Sequence, residues 1–303
     1  MEESAYHRQA RLLLSILPLV GRYSSFAIKG GTAINFFIRD MPRLSVDIDL
    51  TYTPFDERTT ALAAIGNALE SLKSDIEHLI PKTVVVPGRR EGRTAALLVR
   101  TDRATVKIEP NIVLRGTVFD PVMLSLSQKV QDTFGMSVRV RALAAAELYG
   151  GKICAALDRQ HPRDLFDIML LLQNEGITDA IRKSFIVHLI SHDRPISELL
   201  DPNLQDLGPT FANEFEGMTF IKVSSEDLNL ARTELVKAIR NGLTDNERRF
   251  ILSVKRGDPD WKLLGVEGVD RLPAVQWKLL NVAKMGKDKH KRSLQKLERC
   301  LGC

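Results

Sequence analysis

Residues 45–50, Ser-Val-Asp-Ile-Asp-Leu, alternate polar and apolar side chains. On a β-strand successive side chains point to opposite faces. Val46, Ile48 and Leu50 therefore share one face and need a core to cover it, whereas Asp47 and Asp49 share the other. The two aspartate Cα atoms are roughly 6.5–7 Å apart at the normal strand rise. Carboxylates that close repel each other unless a cation stands between them. Mg2+ suits the position, because one or two carboxylates hold it while waters and substrate phosphates fill its other sites. Mn2+ is the alternative. Two such ions roughly 3.5–4 Å apart can clamp the attacking and leaving oxygens of a phosphoryl transfer. A solvent-facing edge strand carries paired aspartates too, so the pair gains meaning only with a second feature beside it.

That feature is Gly30-Gly31-Thr32, at the join between a short strand (residues 26–29) and a helix-like stretch (residues 32–39). Glycines at a strand-to-helix turn let the backbone approach a phosphate, and the helix N-terminus favours an anion. Thr32 adds a hydroxyl. A phosphate nest joined by one helix to a metal-ready carboxylate pair describes a triphosphate site. Glu109, in Val-Lys-Ile-Glu-Pro-Asn, shares a face with Lys107 and would complete a cluster of three carboxylates if its strand lies beside that of Asp47. Pro110 marks a strand end or an edge there.

The order of elements predicts two domains. Leu12, Leu13, Ile16 and Leu17 give an amphipathic helix over residues 5–20, and a longer helix covers residues 62–79. Residues 83–87 and 95–100 flank Gly-Arg-Arg-Glu-Gly-Arg as a hairpin, and residues 104–114 form a further strand. Beyond about residue 140 strand signals fade. Helical patterns follow, with Gly176 closing one helix and a capping box at Thr244 and Glu247 opening another that closes on Gly257. The expected class is α+β: a mixed sheet with helices over residues 1–140, then an α-helical domain over residues 141–303.

Composition narrows the setting. Of 303 residues, 44% are hydrophobic and 27% charged, ordinary values for a globular protein. No apolar run approaches the length of a membrane span, and the N-terminal segment lacks a basic-then-apolar leader, so a cytoplasmic protein is expected. Lys284, Lys287, Lys289, Lys291, Arg292, Lys296 and Arg299, against Asp288 and Glu298, hold the whole net charge of +5. Such a C-terminal segment either touches a polyanion or is a solvated helix end. Cys154 reads as a small core residue. Cys300 and Cys303 form a Cys-x-x-Cys with no second ligand pair, a weak metal or redox signal.

Taken together, Gly-Gly-Thr followed by Arg43-x-Ser45-x-Asp47-Ile48-Asp49-Leu50 resembles the AbiEii/AbiGii toxin family, nucleotidyltransferase-fold toxins of bacterial toxin–antitoxin and phage-defence systems that include the mycobacterial MenT group. Val-Lys-Ile-Glu-Pro-Asn looks like that family's third-carboxylate strand, with Glu109 where an aspartate is usual. Residues 150–168 resemble its Lys…Arg-Asp-x-x-Asp helical motif, and residues 257–285 its C-terminal signature. The resemblance covers nearly the whole chain. It implies a nucleotidyltransferase-like N-terminal domain and transfer of a nucleoside monophosphate from a nucleoside triphosphate. Gly30, Gly31, Thr32, Arg43, Ser45 and Lys152 would bind the nucleotide, and Asp47, Asp49 and Glu109 the metal. Asp164, together with Asp167, would position Lys152 or the acceptor. The implied acceptor is RNA, such as the 3′ end of tRNA, and an antitoxin, often a winged-helix regulator, would be encoded nearby. A protein hydroxyl as acceptor, or a nucleotide- or RNA-binding module without turnover, are the competing readings.

Other motifs are weaker. Gly150-Gly151-Lys152 suggests a P-loop, but the spacing fails and Ile153 stands where a hydroxyl is needed. Lys152 and Arg159 share a helix face, and Arg163 and Asp167 are spaced to pair. His188 and His192 have zinc-helix spacing, but Leu189 replaces the general-base glutamate, so they read as surface histidines. Trp261 and Trp277 lie near basic residues, where they could stack bases, but core packing is the reading preferred for both.

Overall fold

The computed structural model describes residues 4–302. The chain divides into two units. One takes the residues up to Ala144 together with Gly217–Lys222, the other Ala145–Glu216 and the residues from Val223 onward.

In the first unit, α1 (Ala5–Val20) begins where the Ser4 side chain accepts from the His7 amide, a cap that satisfies one orphan donor of the first turn. Its leucine and isoleucine stripe is buried as the periodicity predicts. β1 (Phe26–Lys29) runs into α2 (Gly30–Ala33), which continues as a π-helical turn over Ile34–Ile38. Then come β2 (Asp47–Tyr52), α3 (Arg58–Leu79), β3 (Val84–Arg90), β4 (Arg93–Arg100), β5 (Thr105–Asn111), β6 (Val122–Ser125), α4 (Gln128–Phe134) and β7 (Arg139–Ala142). Glu91 and Gly92, both at positive φ, turn the β3–β4 hairpin, the backbone that a two-residue hairpin loop needs.

Seven strands form one mixed sheet in the order β3-β4-β5-β2-β1-β7-β6. β2 sits at its centre, antiparallel to β1 and parallel to β5. That position buries Ile48 and Leu50 and makes the Asp-x-Asp strand an interior one, not an edge. β5 is also interior, between β4 and β2, and Pro110 stands at its end, past the last β4 pair at Ile108, where its missing N–H needs no partner on β4. β6 and β7, four residues each, were not expected at all; β6 is too exposed to carry a hydrophobic pattern.

The strand register has a direct test. Ile48→Ala removes a side chain that is 1% exposed and should cost roughly 2–5 kcal/mol. Asp49→Ala, on the polar face, should cost much less. Paired thermal melts giving the reverse ranking would shift β2 by one residue.

The segment Gly217–Lys222 reaches the first unit from the far side of the helical sequence. The Leu44 amide donates to the Met218 carbonyl at 2.8 Å, the Phe220 amide to the Pro42 carbonyl at 3.0 Å, and Arg43 bridges Thr219 between them.

The second unit is helical: α5 (Ala145–Arg159), α6 (Pro162–Gln173), α7 (Asp179–Ser191), α8 (Ile196–Leu200), α9 (Gly208–Glu214), α10 (Ser225–Gly242), α11 (Asp245–Arg256), α12 (Pro273–Ala283) and α13 (Lys287–Leu301). The capping box at Thr244 and Glu247 and the left-handed Gly257 bound α11 as expected. Gly150 and Gly151 have a packing role. A Cβ on Gly150 would lie 2.7 Å from the Phe185 amide nitrogen, and one on Gly151 3.2 Å from the His188 ring. The glycines let α5 and α7 approach backbone to backbone. His188 is accordingly packed against α5, not a surface residue. His192 faces Asp193 and Asp158. Cys154 is buried, and burial pushes its thiol up to about 12. Cys300 is half-buried; Cys303 lies outside the described residues, so the Cys-x-x-Cys motif has no structural reading. Among the described residues no helix is long and apolar enough to cross a membrane.

Candidate active site

The polar face of β2 organises the first unit's site. Asp47 and Asp49 both lie on it, half-buried. Parallel pairing places Lys107 beside Asp47 and Glu109 beside Asp49 on β5. Antiparallel pairing places Lys29 opposite Asp49 on β1. Ladder partners share a face, so three carboxylates are flanked by two lysines. Glu109 thus has the neighbour that its alternation called for, but its carboxylate lies 2.6 Å from Lys107 Nζ. Among the described residues no three His, Cys, Asp or Glu side chains gather as a metal-ligand set. The face instead offers the Asp47/Asp49 pair. Its hard oxygen donors fit Mg2+, which needs only one or two carboxylates. Lys29 and Lys107 were not singled out as site residues; the register that brings them there is a property of the sheet, not of one strand.

The glycines stand directly against this pair. Gly30 has φ +71°, and a Cβ on it would overlap Asp49 Oδ2. Only glycine gives both the left-handed backbone and the space. A Cβ on Gly31 would fall 2.6 Å from Arg43 Nη2 and 3.4 Å from Ser45 Oγ. Arg43 is buried, donates from Nη1 to the Leu44 carbonyl at 2.9 Å, and sets a cation beside the start of α2, where an anion is already favoured. Thr32 corrects an expectation. Its hydroxyl is buried, donates to the Asp47 carbonyl at 2.6 Å and lies 2.9 Å from Ser45 Oγ. It ties the helix start to β2 and does not present itself to a ligand. Asn35 Nδ2 likewise donates to the Gly31 carbonyl at 2.9 Å.

Gly30→Ala should therefore disturb the site more than the fold. The left-handed penalty is about 1–2 kcal/mol, while the Asp49 carboxylate must move. Thermal melts and Mg2+-dependent nucleotide binding on one preparation measure both. An alanine variant that binds nucleotide as tightly as the parent would remove the close approach from the site.

The second unit holds a separate buried cluster. Lys152 Nζ on α5 lies 2.8 Å from Asp164 Oδ1 and 3.0 Å from Asp167 Oδ2, both on α6. Arg159 Nε lies 2.6 Å from Asp164 Oδ2. Lys152 is 6% exposed and each aspartate 1%. Burial by itself would raise the Asp164 carboxyl, but the Lys152 ammonium and the Arg159 guanidinium outweigh it and hold the group well below the usual carboxylate range. Asp167, spaced to pair with Arg163, contacts Lys152. Both aspartates of the Arg-Asp-x-x-Asp motif thus converge on one lysine.

A family model described as "Nucleotidyl transferase AbiEii toxin, Type IV TA system" matches residues 11–281. The chain belongs to the AbiEii nucleotidyltransferase toxin family. The match spans β2, the α5–α6 cluster and nearly all of α12, so both sets of residues lie inside the AbiEii region. The AbiEii chain is similar in fold to MenT4, a nucleotidyltransferase toxin from Mycobacterium tuberculosis H37Rv. The TM-score is 0.64 over 93% of this chain and 95% of that chain, at 15% identity. No curated protein matches the sequence.

One feature at the C-terminal end differs from expectation. Trp261 packs on Phe250 with ring centroids 5.8 Å apart, but Trp277 is 58% exposed. The basic segment is a helix with one buried side. α13 packs on α11 and α8, burying Leu297 and Leu301, and the His290 ring meets the Lys255 carbonyl at 2.7 Å.

Proposed function

We propose that this AbiEii chain transfers a nucleoside monophosphate from a nucleoside triphosphate to a hydroxyl of RNA, such as the 3′ end of tRNA, in an Mg2+-dependent reaction. The observation that carries the proposal is the closeness of Gly30 to the Asp49 carboxylate, which sets an anion-favouring helix start against a cation-seeking pair. Asp47 and Asp49 would hold Mg2+, with Glu109 as a further carboxylate on the same face. The ion, when bound, neutralises charge on the triphosphate and on the departing pyrophosphate. The Gly30 and Gly31 backbone and the buried Arg43 receive phosphate oxygens, while Thr32 and Ser45 keep the turn in place. The acceptor hydroxyl yields its proton to a carboxylate of the pair, its oxygen bonds to the α-phosphorus, and the bond to pyrophosphate breaks. Positioning and charge neutralisation supply most of the acceleration in such chemistry. Lys152, held by Asp164 and Asp167 within the second unit, is proposed as a nucleotide-binding lysine on the strength of the family motif.

Family membership implies an antitoxin partner, and the proposed setting is the cytoplasm. Incubating the purified chain with each α-labelled nucleoside triphosphate and either total RNA or total protein tests the reading. Label in RNA is expected. Label in protein would move the acceptor, and label in neither would favour a binding module.

A further inference from the structure

We propose that the exposed face of α12 and α13 docks the RNA acceptor, with Trp277 stacking on a base and Lys289, Arg292, Lys296 and Arg299 meeting successive phosphates. The inference rests on the reading of the acceptor as RNA.

The helices sort their residues sharply. On α12, Ala274, Val275 and Val282 are buried, and Lys278 Nζ donates to the carbonyls of His192 and Arg194 at 2.6 and 2.8 Å. The opposite side carries Trp277 and Lys284, seven apart, both exposed. An indole left in water on a helix with an apolar inner face is a costly placement for core packing, because it leaves most of a large apolar ring uncovered. On α13 the inner stripe is Leu297 and Leu301, both buried. Lys289, Arg292, Lys296 and Arg299 follow one another at spacings of three, four and three on the outer side, and all four are exposed. They extend over about 15 Å of helix. Among the described residues none of the four forms a salt bridge.

This arrangement fits a nucleic acid. A row of cations fixed on a packed helix meets a regularly spaced polyanion without first being ordered, and an exposed aromatic ring on the preceding helix accepts any base by stacking. An acidic protein surface would use the cations but would give the bare indole no specific counterpart.

The test uses the full chain, a short fluorescein-labelled single-stranded RNA of mixed sequence, and inorganic polyphosphate as a polyanion without bases. Nucleoside triphosphate is left out. Trp277→Ala should weaken RNA binding roughly 5- to 150-fold and leave polyphosphate binding unchanged. Joint replacement of Lys289, Arg292, Lys296 and Arg299 by Gln should weaken both ligands and reduce the slope of log K against log[salt] for RNA by about 3. Melting temperatures near the parent value certify folding, as expected for substitutions at exposed positions. Parent-like RNA affinity and slope in the folded variants would overturn the proposal, as would variants that lose only an acidic protein partner. An equal effect of Trp277→Ala on polyphosphate would overturn the stacking assignment. Because binding is read without turnover, RNA docking that survives while no label enters RNA defeats the transferase reading alone. Label entering RNA at an unchanged KM in both variants defeats the docking face alone.

Discussion

Asp49→Ala is expected to abolish nucleotide transfer, by on the order of 10²–10³-fold or more, in a protein that remains folded. The side chain sits on the polar face of β2, opposite Lys29 and beside Glu109. Removing it relieves repulsion with its neighbours and opens no core cavity. Transfer assays in Mg2+ beside a melting curve decide the matter. A folded alanine variant with parent-like turnover would take Asp49 out of the mechanism.

The largest effect on stability should come from Lys152→Met. That change leaves Asp164 and Asp167 buried without the ammonium that both contact, while the Arg159 guanidinium still meets Asp164. Breaking a buried ion pair by removing one partner costs on the order of 3–5 kcal/mol, or about 6–20 °C in melting temperature for a unit of this size. Adding Asp164→Asn and Asp167→Asn should recover much of the loss, because the uncompensated charges go with them. The pH dependence follows from the direction of the Asp164 shift. In the parent its folded value is depressed, so its contribution is complete above the unfolded value of about 3.9 and fades as pH falls below that toward the folded value. In Lys152→Met the main cause of the depression is gone and burial favours the protonated form, so the stability gap should narrow as pH falls from about 5 to about 3. Chemical denaturation across that range measures the gap. A gap that is small at pH 7, or that widens in acid, would mean that the lysine is not what holds the two carboxylates.

What the sequence disclosed, and what it withheld, follows the range of the interactions. The alternation through Asp47 and Asp49 is local, and it fixed which side chains face the core. The capping box at Thr244 is local too, as is the stop at Gly257. The neighbours of Asp49 are not local: Lys29 and Glu109 reach it only through sheet register, which no single strand encodes. Thr32 was read as a ligand-facing hydroxyl because its type and position suit one, yet it is turned to the Asp47 carbonyl, a partner visible only once β2 is in place. The glycines at 150 and 151 failed the spacing of a phosphate loop, but their role as a helix contact depends on α7, a partner that the local sequence does not name. Trp277 was read as core in preference to a base-stacking ring, whereas its exposure depends on which face α12 turns inward. The short strands β6 and β7 lack enough residues for a pattern.

The strap Gly217–Lys222 sets an order of assembly. Arg43 and Leu44, in the loop leading into β2, complete their backbone pairing only with Met218, Thr219 and Phe220. During synthesis at ~5–20 residues per second, those partners follow the loop by roughly 10–35 s. A ribosome that stalls or terminates before Phe220 releases a sheet whose site loop lacks its clasp. In a chain of a toxin family, synthesis past the strap then acts as a check: shorter fragments lack the pairing partners of Arg43 and Leu44, and only products that extend beyond them carry the finished turn.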